Sequence, residues 1–281
     1  MPFALGPAAV AAGYRLTGYE TIGSTNAEAL ARSRTGDRGD LWLASLRQTS
    51  GRGRRGRLWQ TPSGNLAATL LLVTDAAPEK AATLGFVAGL AVEEAIRACM
   101  AAASSPGRAE GETALGEQPR DAPSRLRLKW PNDVLLGGAK LGGILLEAEA
   151  VGEGRQAVAV GIGVNVRQAP EGVSYSTASL AAAGVAVTAE DVFSALSDCW
   201  VRYIAEWSND QGFEVIRRRW LARAAGVGEP ISVAQGSRTV AGVFEMIDEA
   251  GRLILRAADG SLHQVTAGDV LFGTAATLGN Q

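Results

Sequence analysis

The apolar positions of this chain change period several times, and each change marks an expected element. Weak alternation over residues 14–22 predicts a first strand, closed by the polar run Gly23-Ser24-Thr25-Asn26. Thr25 followed by Glu28 fits a capping box and predicts a helix running through about Arg32. Apolar runs at 41–46 and 66–73 predict two strands that bracket a polar, glycine-rich stretch. Residues 79–100 are apolar on several faces, as expected of a long helix buried against a sheet. From 101 to 124 the pattern fails, because Leu115 is the only large apolar side chain among Pro, Gly, Glu, Ala and Ser. Such a segment cannot offset its own ordering entropy, and a mobile insertion without chemistry is expected there.

Alternation then returns. Leu126, Leu128 and Trp130 interleave with Arg127 and Lys129, and 134–136, the Gly137-Gly138 turn and 140–150 read as a hairpin. Gly142-Gly143 lies inside the returning strand, where bare backbone implies that something approaches closely. In the next strand, 157–166, a period of two puts Gly161, Gly163 and Asn165 on one face and Ile162, Val164 and Val166 on the other. The bare face suits either a ligand, with an amide at its end, or a helix packed on the glycines. Helices are predicted at 189–207 and 213–224. Short strands follow at 231–235, 239–247, 252–256 and 263–265, with tight-turn residues Gly236-Ser237 and Asp259-Gly260 between them. The expected fold is α+β, with a mixed sheet flanked by helices over 1–227 and a small C-terminal β-barrel over 228–281.

The stretch between the second and third strands, Gln48 to Asn65, carries the strongest chemical signal. Arg52, Arg54, Arg55 and Arg57 fall within six residues, separated by Gly51, Gly53 and Gly56 and followed by Trp59, with no acidic residue among them. Guanidinium groups fork onto phosphate or carboxylate oxygens, and glycines let the backbone come close, so the stretch reads as a loop that closes over an anion. Gly51, Gly53 and Gly56 also match G-x-G-x-x-G, but a dinucleotide site needs those glycines to open a helix, and Pro62 and Gly64 follow instead. No phosphate-binding G-x-x-x-x-G-K-[ST] occurs.

Charge and rare residues narrow the classes further. A net charge of −2 describes one basic knot on an acidic background, unlike the broad basic face of a nonspecific nucleic-acid binder. Cys99 and Cys199 lack any metal or redox spacing and read as two buried thiols in a reducing compartment. A signal peptide and membrane helix are not expected, and a cytoplasmic location is. His263 is the single histidine, which argues against Ser-His-Asp or Cys-His catalysis and against a histidine metal site.

Taken together, STN (24–26), Q-x-x-GRGRRGR-x-W (48–59), KWPND (129–133), K-L-G-G-I-L-x-E (140–147) and GIGVNV (161–166) resemble the biotin protein ligases in order and spacing across nearly the whole chain. The resemblance implies a class II synthetase-like catalytic domain with a C-terminal SH3-like barrel. It also implies two reactions: biotin and ATP give biotinyl-adenylate and pyrophosphate, then a lysine of a biotin carboxyl carrier protein takes the biotin. Bringing a carboxylate to an α-phosphate costs roughly 4 kcal/mol at 4 Å and an effective dielectric of 20, which cations and Mg²⁺ offset without any histidine. By the same resemblance Ser24, Thr25, Asn26 and Gln48, with backbone at Gly51 and Gly143, hold biotin. Arg52 and Lys140 are the catalytic pair at its carboxyl group and the phosphate. Arg54, Arg55 and Arg57 order over the adenylate, Trp59 stacks on adenine, and Asn132 and Asn165 hold the nucleotide. Asp133 acts on Mg²⁺, directly or through water. Only 23 residues precede Ser24, so no DNA-binding domain and no repressor role are expected, and a homodimer is left open. The competing readings are a lipoate or octanoate ligase of the same fold and, in another class, an RNA-binding module.

Overall fold

A computed structural model describes residues 3–104, 125–209 and 212–272. Its centre is a seven-stranded mixed sheet in the order β1 (Arg15–Tyr19), β2 (Leu41–Ser45), β3 (Leu66–Thr74), β7 (Arg155–Val164), β6 (Ala139–Gly152), β5 (Asp133–Leu136), β4 (Leu126–Lys129). Only the β1–β2 pair is parallel. The period-two reading of the GIGVNV strand holds. Val158, Val160 and Ile162 enter the main core with Leu70, Trp42 and Trp200, whereas Ala157 and Ala159 join a smaller core with Ala29, Leu30, Leu43 and Leu71. One face of the sheet therefore carries α4 (Leu84–Ala103) and α5 (Ala189–Trp207), and the opposite face carries α2 (Thr25–Arg34).

Several boundaries differ from expectation for local reasons. Ser24, not Thr25, caps α2, since its hydroxyl accepts from Ala27 N at 3.3 Å, and Glu28 turns to Arg32 instead of completing a box. Thr25 is thereby freed to point into the interior. The helix expected at 79–100 is two: α3 (Pro78–Ala82) stops where the Thr83 hydroxyl donates to Lys80 O at 2.6 Å, and α4 begins beyond it. Residues 101–103 end α4, and the rest of the expected insertion, from 105 to 124, lies outside the described residues. A short helix α1 (Pro7–Ala11) was not expected, although Pro7 at its first position is an ordinary start signal. In mid-α4 the fully buried Glu93 is paired with Arg97 and with Arg223 Nε at 3.1 Å, which offsets part of the cost of placing a carboxylate inside an apolar helix.

After α6 (Gly212–Leu221) the chain forms a five-stranded antiparallel sheet: β8 (Pro230–Gln235), β9 (Arg238–Ile247), β10 (Leu253–Arg256), β11 (Leu262–Val265) and β12 (Asp269–Phe272), in the order β11-β10-β9-β8-β12. The edge strands β11 and β12 are not paired with each other among the described residues, so barrel closure is not part of the hydrogen-bonding pattern. β12 was not expected, being only four residues long. Phe244, Ile247 and Leu253 share the main core across the seam, and three side chains donate across it to backbone carbonyls: Trp130 Nε1 to Gly251 O at 3.0 Å, Arg217 Nη1 to Ile247 O at 3.4 Å, and Arg54 to Gly268 O at 3.3 Å.

Candidate active site

Strand register builds the floor of the site. Ala67, Gly163, Gly143 and Asp133 form one row across β3, β7, β6 and β5, and Thr69, Gly161 and Leu145 form another two residues along. The rows are about 6.7 Å apart. Each glycine leaves room for a specific side chain. A Cβ on Gly161 would lie 2.2 Å from Asn26 Oδ1, and one on Gly163 would lie 2.5 Å from the Trp59 indole. The helix reading of the bare face is realised at Gly161, on which the first turn of α2 packs, whereas Gly163 is covered by Trp59 of the arginine loop, which neither reading anticipated. Around this floor lies a cavity of about 490 Å³, a size typical of ligand pockets.

The polar end of the cavity is a closed hydrogen-bond network. Thr25 N and Oγ1 both donate to Gln48 Oε1, at 2.8 and 3.1 Å, and Gln48 Nε2 donates to Thr61 Oγ1 at 3.3 Å. The buried Thr69 hydroxyl lies 2.7 Å from Thr25 Oγ1 and 2.6 Å from Asn26 Oδ1. Asn26 Nδ2 donates to Glu147 Oε2 at 2.9 Å and to Leu145 O at 3.3 Å. The amide of Asn26 is thus committed to holding α2 on the sheet, while Ser24, Thr25 and Gln48 present oriented polar atoms to the cavity. Gln48 keeps one Nε2 proton free to donate there.

The charged end gathers on the Gly143 row. Lys140 Nζ lies 2.6 Å from Asp133 Oδ1, although the approach makes no regular hydrogen bond and leaves that oxygen without one. The same ammonium is 5.5 Å from the ring centres of Trp59 and Tyr175, within cation–π range. Arg52 is not part of this group: it reaches Glu147 Oε1 at 3.4 Å, on the carboxylate that Asn26 of the polar end also holds. Asn132 Nδ2 donates to Ile144 O at 2.6 Å while its Oδ1 accepts from Arg54 Nη1 at 3.0 Å. Lys129 also lines the cavity; burial pushes its ammonium pKa down, and Asp133 opposes that.

The arginine stretch folds as a narrow finger. Trp59 N donates to Gly51 O at 3.0 Å and Gly53 N to Arg57 O at 2.7 Å, with a single 3₁₀ turn over Arg54–Gly56 at the tip. Arg55 has φ +57°, the left-handed region that L residues occupy at some cost. The tip lies against the C-terminal sheet, with Arg57 Nη2 donating to Asp269 Oδ2 at 2.7 Å and Arg55 Nη1 at 3.5 Å from the same oxygen. Burial pushes the Asp269 carboxyl up, but the Arg57 hydrogen bond and the Arg55 and Arg54 charges outweigh it and hold the group below its usual 3.8.

Ser24, Thr25, Asn26, Gln48, Arg52, Arg54, Arg57, Trp59, Asn132, Asp133, Lys140 and Gly143 all line the one cavity. Three expected residues do not reach its wall. Gly51 is buried under Trp59, where a Cβ would meet the Trp59 carbonyl at 2.3 Å; Arg55 turns to Asp269; and Asn165 sits beneath the start of β6. Asn165 Nδ2 donates to Ala178 O at 3.1 Å, and its buried Oδ1 has no partner. Thr61, Thr69 and Asp269 are participants that sequence reasoning did not find. Thr69 reads as an ordinary strand residue, and Asp269 lies more than 200 positions from the arginines it meets. Glu147 stands in a quoted motif without having been given a task. Among the described residues no group of three His, Cys, Asp or Glu could cage a metal. Asp133 offers one carboxylate, which fits an ion that keeps most of its waters and takes the rest of its ligands from phosphate.

This architecture, a bare-backbone sheet floor with a polar end, a cationic end and an arginine finger, is that of a ligase which joins an acid to a nucleotide. The chain belongs to the biotin/lipoate A/B protein ligase family, whose model matches residues 21–165, and a model of the biotin protein ligase C-terminal domain matches residues 226–273. It is 42% identical over 256 residues to the biotin–(acetyl-CoA-carboxylase) ligase of Paracoccus denitrificans, covering 89% of this chain and 97% of that one. The corresponding ligase of Mycobacterium tuberculosis is 34% identical over 257 residues, covering 89% and 85%. The biotin protein ligase of Aquifex aeolicus, solved in complex with biotin and ATP, shares the fold with a TM-score of 0.70 at 22% identity, over 93% of this chain and 99% of that one.

Proposed function

We propose that the chain activates biotin with ATP to biotinyl-adenylate and then transfers biotin to a lysine of a biotin carboxyl carrier protein. In the first step a biotin carboxylate oxygen attacks the α-phosphorus, an oxygen–phosphorus bond forms, and the bond to the β,γ-diphosphate breaks to release pyrophosphate. In the second the lysine amine attacks the acyl carbonyl, the carbon–oxygen bond of the mixed anhydride breaks, AMP leaves and the amine gives up a proton.

The observation that carries this reading is the polarity of the cavity. Ser24, Thr25 and Gln48, pre-oriented by Thr69 and Thr61, suit the urea-like ring of biotin, which has both donors and an acceptor. The apolar strand surface lining the cavity, with Ala67, Ile144 and Leu145, suits the bicycle and its chain. At the opposite end Lys140 would meet the position where carboxylate and α-phosphate come together, joined by Arg52 on leaving Glu147, and both would offset the repulsion between those anions. Asn132 and Arg54 form a preassembled pair for the nucleotide. Trp59 serves the adenine by moving off Gly163, while Asn165, buried beneath the wall, supports the floor through its bond to Ala178 O. Mg²⁺ would be held by Asp133 and would supply charge neutralisation at the phosphates. The expected division into a catalytic domain (1–227) and a C-terminal domain (228–281) is part of this proposal, supported by the start of the second sheet at Pro230.

Biotin-dependent exchange of labelled pyrophosphate into ATP tests it. Exchange with biotin, and none with lipoate or octanoate, is the expected result. Exchange with another acid instead would move the chain to a different acyl substrate.

A further inference from the structure

The finger tip holds three arginines within four residues, and their mutual repulsion works against any fixed arrangement. Among the described residues Asp269 is the one carboxylate within 4.0 Å of Arg55 or Arg57, and it reaches both through the single oxygen Oδ2. Its backbone is fixed by β12, where Asp269 pairs with Ala234 of β8, so the anion belongs to a rigid strand and the cations to a glycine-rich hairpin. Next to it, Gly268 O accepts from Arg54, which also grips Asn132 on the main sheet. The tip is therefore held on both sides of the cavity mouth at once. Each guanidinium has five donors. Asp269 occupies one edge of Arg57 and leaves others for a phosphate, so this contact need not break when nucleotide arrives.

We propose that Asp269 is a positioning residue of the ligase reaction: it latches the arginine finger to the C-terminal sheet and so keeps the adenylate enclosed between the two half-reactions. This rests on the ligase reading given above. Asp269 touches no reacting atom; it acts by fixing Arg55 and Arg57, and with them the tip of the finger. A free finger would still bind nucleotide but would open more often, releasing biotinyl-adenylate into solvent.

The test compares the parent with Asp269→Asn, which keeps shape and removes charge, and with Asp269→Glu, which restores charge. Limited trypsin digestion of the unliganded protein reads the finger directly, since the tip is rich in arginine. Cleavage there should rise about three- to tenfold in the Asn variant, as expected for losing two half-exposed ion pairs, and return toward parent in the Glu variant. During turnover without carrier, the Asn variant should release several-fold more adenylate per pyrophosphate formed, and the Glu variant should return toward parent. Parent-like cleavage and parent-like adenylate retention in Asp269→Asn would overturn the latch. Absence of exchange in the parent would instead overturn the ligase reading, and the cleavage comparison would still decide the latch.

Discussion

A methyl group placed at residue 161 separates the two tasks of the bare strand. In Gly161→Ala the new Cβ falls 2.2 Å from Asn26 Oδ1, 2.9 Å from its Cγ and 3.0 Å from its Nδ2. Asn26 is buried, and its amide is pinned by Thr69 and Glu147, so it cannot swing aside as a long exposed side chain would. Either the first turn of α2 lifts from the sheet or the amide loses its bonds. Overpacking costs about 1–3 kcal/mol and a lost buried hydrogen bond about 1–3 kcal/mol, so a total near 2–4 kcal/mol is expected. At roughly 2–4 °C per kcal/mol for a protein of this size, the melting temperature should fall by about 5–15 °C. The same lift displaces Ser24 and Thr25, and biotin affinity should fall at least tenfold, about 1.4 kcal/mol. Gly163→Ala is the control. Its Cβ meets Trp59, which is half-exposed on the finger and can move, so stability and biotin binding should stay near parent while the ATP-dependent step weakens. Thermal unfolding and calorimetric titration with biotin measure both. A Gly161→Ala protein that melts within about 2 °C of parent and binds biotin equally would refute the claim that α2 is seated on that glycine.

Three further outcomes are expected. Lys140→Ala should lower the rate of pyrophosphate exchange by about a hundredfold, the loss typical of one charge-stabilising donor, and an unchanged rate would show that Lys140 has no part in the first step. Burial pushes Cys99 and Cys199 up to about 11, so at pH 8 both should resist a thiol reagent in the folded protein and react fully once it is unfolded; fast labelling of native protein would contradict their packing. For Asp37, burial raises the carboxyl but the Arg15 hydrogen bond outweighs it, so its folded value lies below 3.8. Its contribution to stability is then complete above the unfolded value and lost as pH falls through the folded one. Asp37→Asn should flatten that acid limb of the stability curve, and an unaltered limb would remove the argument.

How much of this was readable in the chain depends on how local the cause is. The strands around Leu43, Leu70 and Val160 announce themselves because each alternation is settled within a few residues. The arginine finger was equally visible as a cluster, and so were the glycines of the floor. What the sequence left ambiguous was the occupant of each glycine, since register across four strands decides that Gly161 meets Asn26 and Gly163 meets Trp59. Thr69 and Asp269 were invisible for the same reason: a threonine in a strand and an aspartate before a short apolar run gain meaning only when distant segments meet. The misplaced cap at Thr25 is instructive too. Adjacent Ser24 and Thr25 are both competent caps, and the one the helix does not need is the one turned toward Gln48.

The seam between the two sheets has a consequence for how such chains can change. The side chains that cross it from the N-terminal part, Trp130, Arg217 and Arg54, end on the carbonyls of Gly251, Ile247 and Gly268. A carbonyl is present whatever the residue, so these three contacts follow the path of the C-terminal main chain and not its letters. Side-chain identity is instead constrained at Phe244, Ile247 and Leu253, which share the main core, and at Gly251, where a Cβ would meet Phe86 at 2.8 Å. Insertions or deletions of even one residue near 247–251 or 268 would slide the acceptors out of reach. Homologous C-terminal segments should therefore be interchangeable by grafting when both their spacing between these turns and the apolar residues they give to the shared core are preserved.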